Sequence, residues 1–168
     1  SPGIALRPLY GNLPFADQEA AILPGEQRRV VLATNVAETS LTIEGIETVV
    51  DSGWDRRPHF DAARGMTRLE TVRISQASAE QRAGRAGRLG PGRCYRLWRE
   101  GTQGALLPFA PPEIRQADLA PLAFELAQWG IQEVADLTWL DLPPDGHLAA
   151  ARRLLTILGA LDENGIQT

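Results

Sequence analysis

The chain is predicted to be an α/β protein built on a mostly parallel sheet with flanking helices, followed by a mainly helical segment. Three observations lead there. Short strand-like apolar runs alternate with helix-length segments between Ile4 and Trp98, as in layered α/β folds. One run, Val30 to Ala33, is continuously apolar and then breaks into Thr34 and Asn35. That pattern is expected of a parallel strand buried on both faces, with polar residues beginning at its carboxyl end, where such sheets place their ligands. After Gly104 the proline-rich string LLPFAPPEIR reads as a linker into helical sequence.

Taken in order, Ile4 to Tyr10 is a strand ending at Gly11, and Pro14 to Leu23 a helix bounded by Pro14 and by the Pro24–Gly25 pair. Ile46 to Val50 and Thr71 to Ile74 are further strands, and Arg93 to Trp98 another. Trp54 to Phe60 and Met66 to Ile74 flank the turn-prone DAARG, which predicts a β-hairpin. Beyond the linker, Leu119, Leu122, Ala123 and Leu126 mark an amphipathic helix ending near Gly130. Leu148, Leu155 and Leu158 mark another, capped by Asp145 and stopped at Gly159. Asn164–Gly165 signals a final turn.

The net charge of −4 hides a segregation. Residues 1–112 carry 14 Arg against 12 Asp and Glu, whereas residues 113–168 carry 3 against 9, so the first part is the candidate for phosphate binding. All 17 basic residues are Arg. The single cysteine, Cys94, excludes an intramolecular disulfide and a multi-cysteine metal site, and is expected to act as a small buried hydrophobe. His59 and His147 stand far apart with no third ligand type beside them, so no metal-ligating residues are predicted. No apolar run approaches the ~18 residues of a membrane span. No charged-then-apolar leader is seen, and Ser1 stands where Met would, so a cytoplasmic parent protein is expected of which this is a piece.

The densest chemistry lies in SAEQRAGRAGRLGPGRCYRLW, Ser78 to Trp98. Ser78 and Gln81 form a capping-box pattern, and a helix from there puts Gln81, Arg85 and Arg88 on one polar face, with Arg82 opposite and expected to matter less. Gly84 and Gly87 each cost roughly 1 kcal/mol against Ala in a helix, which fits a close approach to the backbone. Paired guanidiniums suit a polyphosphate, because each presents a fixed fork of donors that stays charged. A second stretch, ATNVAETSLTIEG from Ala33 to Gly45, offers hydroxyls, an amide and a carboxylate at a strand end. Alone, its Thr34 and Ser40 read more simply as helix caps.

QRAGRAGR with PGRCYRLW resembles motif VI of the superfamily 2 helicases in the form used by the DEAH/RHA group. Ala33 to Gly45 resembles motif V of that family, and LYGNLP, Leu9 to Pro14, resembles its LYGSLP segment. PEIRQADLAPLAFELAQWGI, TWLDLPP and LLTILGALDENGIQT resemble its winged-helix segment, and the combination with VRISQASAEQRAGRAGR points to the bacterial HrpB-like branch. The resemblance implies a RecA-like (P-loop NTPase-type) second domain over residues 1–106, lacking its first strand and helix, and a truncated winged-helix segment over 107–168. It implies an ATP-dependent RNA helicase, that is, an NTP hydrolase.

By that resemblance Gln81, Arg85 and Arg88 are catalytic, the arginines reaching across a cleft to the γ-phosphate. Ser40, Thr42 and Glu44 lie by ATP. Thr34, Asn35, Gly11 and Asn12 approach the RNA backbone, and Arg56 and Arg57 on the hairpin are further candidates, with Arg64 and Arg68 beside them. Asn12 replaces the family's Ser, and Ile22 stands where eukaryotic relatives stack an aromatic residue on adenine. ATP with Mg²⁺ is held mainly by the first RecA-like domain of the same polypeptide, which lies outside these residues and carries the phosphate-binding loop and DEAH carboxylates. The fragment alone is therefore expected to be inactive, and RNA and that first domain are its expected partners. The reading from another class is a catalytically inactive nucleic-acid-binding or scaffolding module of the same fold.

Overall fold

A computed structural model describes residues 3–39, 43–61, 64–87 and 90–168. The first strand, β1 (Ile4–Leu9), pairs in parallel with β2 (Arg28–Ala33), with Leu9 opposite Ala33. Between them runs α1 (Phe15–Ile22), where Pro14 is the residue before the first helical turn and its carbonyl accepts from the Asp17 and Gln18 amides. Leu9, Leu13 and Ala21 are buried. The short helix α2 (Val36–Thr39) follows β2 directly.

A second parallel pair joins β3 (Thr48–Asp51) to β6 (Arg93–Arg96), with Val50 opposite Tyr95. Between these in sequence, β4 (Trp54–Asp61) and β5 (Met66–Arg73) form a two-stranded sheet. Their short connection has no room for a parallel crossover, so they make the predicted hairpin. Its second strand takes in residues 71–73, which the sequence assigns to the sheet as well. Helix α3 (Gln76–Ala83) packs on both α2 and β3, and α4 (Glu100–Ala105) follows β6. Ile74, Ala79 and Leu106 form a small core with Trp98 against it.

The Val30–Ala33 run is not buried on both faces: Val30 is 43% and Leu32 60% exposed, and both lie on the same open face of the β1–β2 pair as Ile4 and Leu6. Burial of a strand depends on layers laid over it, which a local apolar run does not report.

By compactness the chain divides into Ser1–Asp55 with Thr71–Ala110, and Arg56–Glu70 with Pro111–Thr168. The second unit is organised by α5 (Ala120–Gln128) and α6 (Asp145–Ile157), around Leu119, Ala123, Leu148, Ala151, Leu155 and Leu161. Gly130 and Gly159 follow these helices with positive φ, as the sequence predicts for their ends. Asp145 sits inside the first turn of α6, where its charge suits the helix N-terminus, and makes no side-chain cap. Gly165 turns the closing hairpin, in which Leu161 bridges Gln167. In this unit the Phe60 amide donates to the Gln116 carbonyl at 2.9 Å, tying the hairpin to the segment after the proline-rich stretch.

Candidate functional site

Two groups of predicted residues assemble on the first unit. At the carboxyl end of the β1–β2 pair, the Thr34 amide donates to the Leu9 carbonyl at 3.1 Å. Immediately beyond Leu9, the Leu13 amide donates to the Tyr10 carbonyl at 3.1 Å, which makes Gly11 and Asn12 the central residues of a β-turn. Thr34, Asn35, Gly11 and Asn12 are all exposed and share this edge. Thr34 and Asn35 also start α2, their carbonyls accepting from the Ala37 and Glu38 amides at 3.3 and 2.9 Å. A hydroxyl, an amide and free backbone at one strand edge are groups of the kind that can contact a sugar-phosphate backbone.

The second group surrounds the Arg85 turn. Helix α3 begins earlier than the capping-box pattern suggests. Ser75 is its cap, with Oγ accepting from the Ser78 amide at 3.1 Å, while Ser78 itself is buried in the first turn. The Gln76 and Ala77 amides donate to the Leu107 and Pro108 carbonyls at 2.8 and 3.1 Å. The first free N–H groups of α3 are thus satisfied by the proline-rich stretch, a pairing that local sequence does not reveal.

The helix also stops sooner, at Ala83, so Gln81 and Arg85 do not share one helix face. Gln81 is exposed on α3, whereas half-buried Arg85 lies in a tighter turn closed by Arg85 N–H to Arg82 O and Ala86 N–H to Ala83 O, each 3.1 Å. Gly87 then donates to the Ile46 carbonyl at 2.9 Å, and Arg93 to Glu47 at 2.8 Å. The Arg85 turn therefore hangs on the segment that contains exposed Glu44. Arg88, Ser40 and Thr42 lie outside the described residues.

The close approach inferred from the glycines is real at one of them, and it comes from the chain itself. Gly87 has φ +75, and a Cβ there would stand 2.5 Å from the Gly92 nitrogen and 2.6 Å from the Gly90 oxygen. At Gly84 a Cβ would meet nothing nearer than the Glu80 oxygen at 3.4 Å.

Arg82, expected to matter less on the opposite face, is heavily hydrogen-bonded. Its Nε donates to Glu38 Oε2 at 2.9 Å, and one Nη donates to both Asp51 Oδ1 and the Trp54 carbonyl at 3.1 Å. The side chains of Arg82, Glu38 and Asp51 are 16%, 12% and 1% exposed. Burial pulls against the charge of Arg82, but the bonds to Glu38 and the field of Asp51 outweigh it and hold its pKa above the ordinary arginine value. The sequence signal for this is faint: Asp51 closes the short strand Thr48–Asp51, and only its burial, which the fold decides, demands a cationic partner.

On the hairpin, Arg56 is exposed and Arg57 half-buried. Arg64 pairs with Asp61 at 2.7 Å and Arg68 with Glu70 at 2.7 Å; both arginines are exposed, and surface pairs of this kind contribute little to stability. Cys94 is half-buried in β6, and burial pushes its thiol up, keeping it protonated near neutrality. Among the described residues no three His, Cys, Asp or Glu side chains gather as a metal site, and no helix is long and apolar enough to cross a membrane.

The helicase conserved C-terminal domain family matches residues 1–90. The chain is 53% identical over 161 residues to the ATP-dependent RNA helicase HrpB of Escherichia coli (strain K12), covering 95% of this chain and 20% of that protein. It is 42% identical over 170 residues to the pre-mRNA-splicing factor ATP-dependent RNA helicase prp22 of Schizosaccharomyces pombe, covering 99% of this chain and 15% of that protein. A crystal structure of the Escherichia coli DEAH/RHA helicase HrpB superposes with a TM-score of 0.94 at 50% identity, covering 100% of this chain and 22% of that one. The chain thus spans about a fifth of the length of HrpB.

Proposed function

The chain belongs to the helicase C-terminal domain family, in its DEAH/RHA, bacterial HrpB-like branch, and on that premise we propose that it is the second RecA-like half of an ATP-dependent RNA helicase. In this reading residues 1–106 are the RecA-like domain and 107–168 the start of a winged helix. ATP, when bound, supplies the β,γ-phosphoanhydride bond whose hydrolysis would drive the cycle. Arg85, with Arg88, neutralises charge that develops on the γ-phosphate, and Gln81 orients groups beside it. Ser40, Thr42 and Glu44 line the nucleotide side. Thr34, Asn35, Gly11 and Asn12 hold the RNA backbone, and Arg56 and Arg57 add phosphate contacts.

The first RecA-like domain of the same polypeptide is the partner that completes the site. Phosphate-loop enzymes seat Mg²⁺ and the β- and γ-phosphates with a Lys-bearing loop and an acid. This chain has no Lys, while it carries the arginines Arg85 and Arg88, so it fits the arginine half of such a centre.

The observation that carries the reading is the Gly87 to Ile46 hydrogen bond, which seats the Arg85 turn on the Glu44 segment while the same unit presents Thr34 and Asn35 at a strand edge. The test is ATP turnover of the two-domain protein with Mg²⁺ and single-stranded RNA. Arg85→Ala is expected to lower turnover by about 10³-fold or more, as for other arginine fingers, with RNA affinity nearly kept. Unchanged turnover in that variant would reject the finger assignment, and RNA binding without any turnover in the wild type would favour the inactive binding module.

A further inference from the structure

We propose that Arg82 is a positioning residue that couples the RNA-side strand edge to the Arg85 turn and to the root of the hairpin, an inference that rests on the helicase reading above. The path is continuous and made of hydrogen bonds. The Asn35 carbonyl accepts from the Glu38 amide at 2.9 Å, Glu38 Oε2 accepts from Arg82 Nε at 2.9 Å, and the Arg82 carbonyl accepts from the Arg85 amide at 3.1 Å. Asn35 stands at one end of this path and Arg85 at the other.

A branch leaves the same guanidinium. Its Nη reaches Asp51 at the end of β3 and the Trp54 carbonyl where β4 begins. That root is built tightly. Asp51 Oδ1 also accepts from the Gly53 amide at 2.9 Å, the Ile74 amide donates to the Gly53 carbonyl at 3.2 Å, and the Arg73 guanidinium lies 3.8 Å from the centre of the Trp54 ring. A shift of α2 on binding RNA therefore meets, through one side chain, both the hairpin root and the backbone that carries Arg85.

The chemistry suits this task better than it suits stability alone. Burying an ion network costs desolvation that apolar residues of the same volume avoid, so such a network contributes little net stability while imposing one geometry on everything it touches. Arg is the residue that can do so, because its planar fork reaches several acceptors in fixed directions, whereas Lys offers a point charge on a flexible stem. Coupling between two sites carried by such a network typically amounts to a few-fold to about a hundred-fold in affinity, and a change of that size in the coupled turnover is the scale to look for.

The experiment uses the full-length protein and measures ATP turnover without RNA, turnover at saturating single-stranded RNA, RNA affinity and melting temperature. Arg82→Lys and Glu38→Gln are compared with Arg96→Lys, which alters the 2.7 Å pair to Glu80 on the same helix but none of the three linked elements. In Arg82→Lys and Glu38→Gln the ratio of RNA-stimulated to RNA-free turnover is expected to fall by about 5-fold or more, the lower range of allosteric coupling, with RNA-free turnover and RNA affinity within about 3-fold of wild type. Arg96→Lys is expected to keep the full ratio. The inference is overturned if stimulated and RNA-free turnover fall by the same factor, which marks a purely structural role, or if the ratio is unchanged. Should Arg82→Lys fail to fold, Glu38→Gln decides by the same criteria. A wild-type protein without any RNA stimulation overturns the helicase reading itself, and this inference with it.

Discussion

The two glycines of the AGRAG string make opposite predictions although their sequence surroundings are alike. Gly84 is the residue after α3, with φ −65 and ψ −6, a conformation any residue adopts, and its Cβ would find ordinary contacts at 3.4 and 3.5 Å. Gly84→Ala should therefore be neutral, or stabilising by roughly 0.4–1 kcal/mol through the lower entropy of the unfolded chain. Gly87 is held at φ +75, and its added Cβ would stand 2.5 Å from the Gly92 nitrogen, 2.6 Å from the Gly90 oxygen and 2.8 Å from the Gly92 Cα. All three are backbone atoms, so no side chain can swing aside. The left-handed conformation costs an L-residue about 1–2 kcal/mol. Overpacking adds about 1–3 kcal/mol, for a loss of roughly 2–5 kcal/mol. Gly92→Ala meets the same crossing from the other strand of the loop, with a Cβ 2.4 Å from the Gly87 nitrogen and no positive φ, so it should pay only the overpacking part. The assay is urea denaturation together with hydrogen exchange of the Arg93 amide, which bonds the Glu47 carbonyl beside this loop. A loss of about 2 kcal/mol in Gly87→Ala appears as roughly 30-fold faster exchange. Exchange unchanged in Gly87→Ala, or equally fast in Gly84→Ala, would refute the view that the loop's own backbone crossing dictates where glycine must stand.

Three further outcomes are expected. Arg82→Ala should cost about 3–5 kcal/mol by leaving the Asp51 carboxylate buried alone, and adding Asp51→Asn should recover part of it; a double variant no more stable than Arg82→Ala in urea denaturation would argue against that cause. Thr34→Ala should weaken RNA binding and RNA-stimulated turnover well beyond any change in RNA-free turnover, and equal losses in both assays would assign Thr34 to folding or to the nucleotide side. In the closing hairpin, the Ile166 amide first and then that of Asn164 hold the Asp162 carboxyl below its ordinary value, through bonds of 2.8 and 2.9 Å. A depressed folded pKa stabilises above the unfolded value and loses that contribution as pH falls through the folded one, so the turn should loosen only below about pH 4. An NMR titration of Asp162 follows this directly, and a midpoint at or above the ordinary aspartate value would contradict it.

Sequence alone did not show the short helices α2 and α4, but it determined the order of the strands and the longer helices, the hairpin around residues 61–66, the helix ends at Gly130 and Gly159, and the family to which the chain belongs. These are local properties: apolar periodicity, glycine at positive φ and contiguous motif strings are written within a few residues of where they act. It also singled out Thr34, Asn35, Gly11 and Asn12, which tertiary structure then brings to one edge because β1 and β2 pair in register. What tertiary structure decided involves partners distant in the chain. The start of α3 is set by Leu107 and Pro108, some thirty residues on, and the seat of the Arg85 turn by Ile46. The openness of Val30 and Leu32 is set by what is laid over their strand. Arg82 shows the distinction most sharply: helical periodicity put it on an idle face, but α3 packs that face onto α2 and β3, where Glu38 and Asp51 wait at separations of 44 and 31 residues. A charged side chain's role follows from which acids share its low-dielectric surroundings, and only the folded chain brings them together.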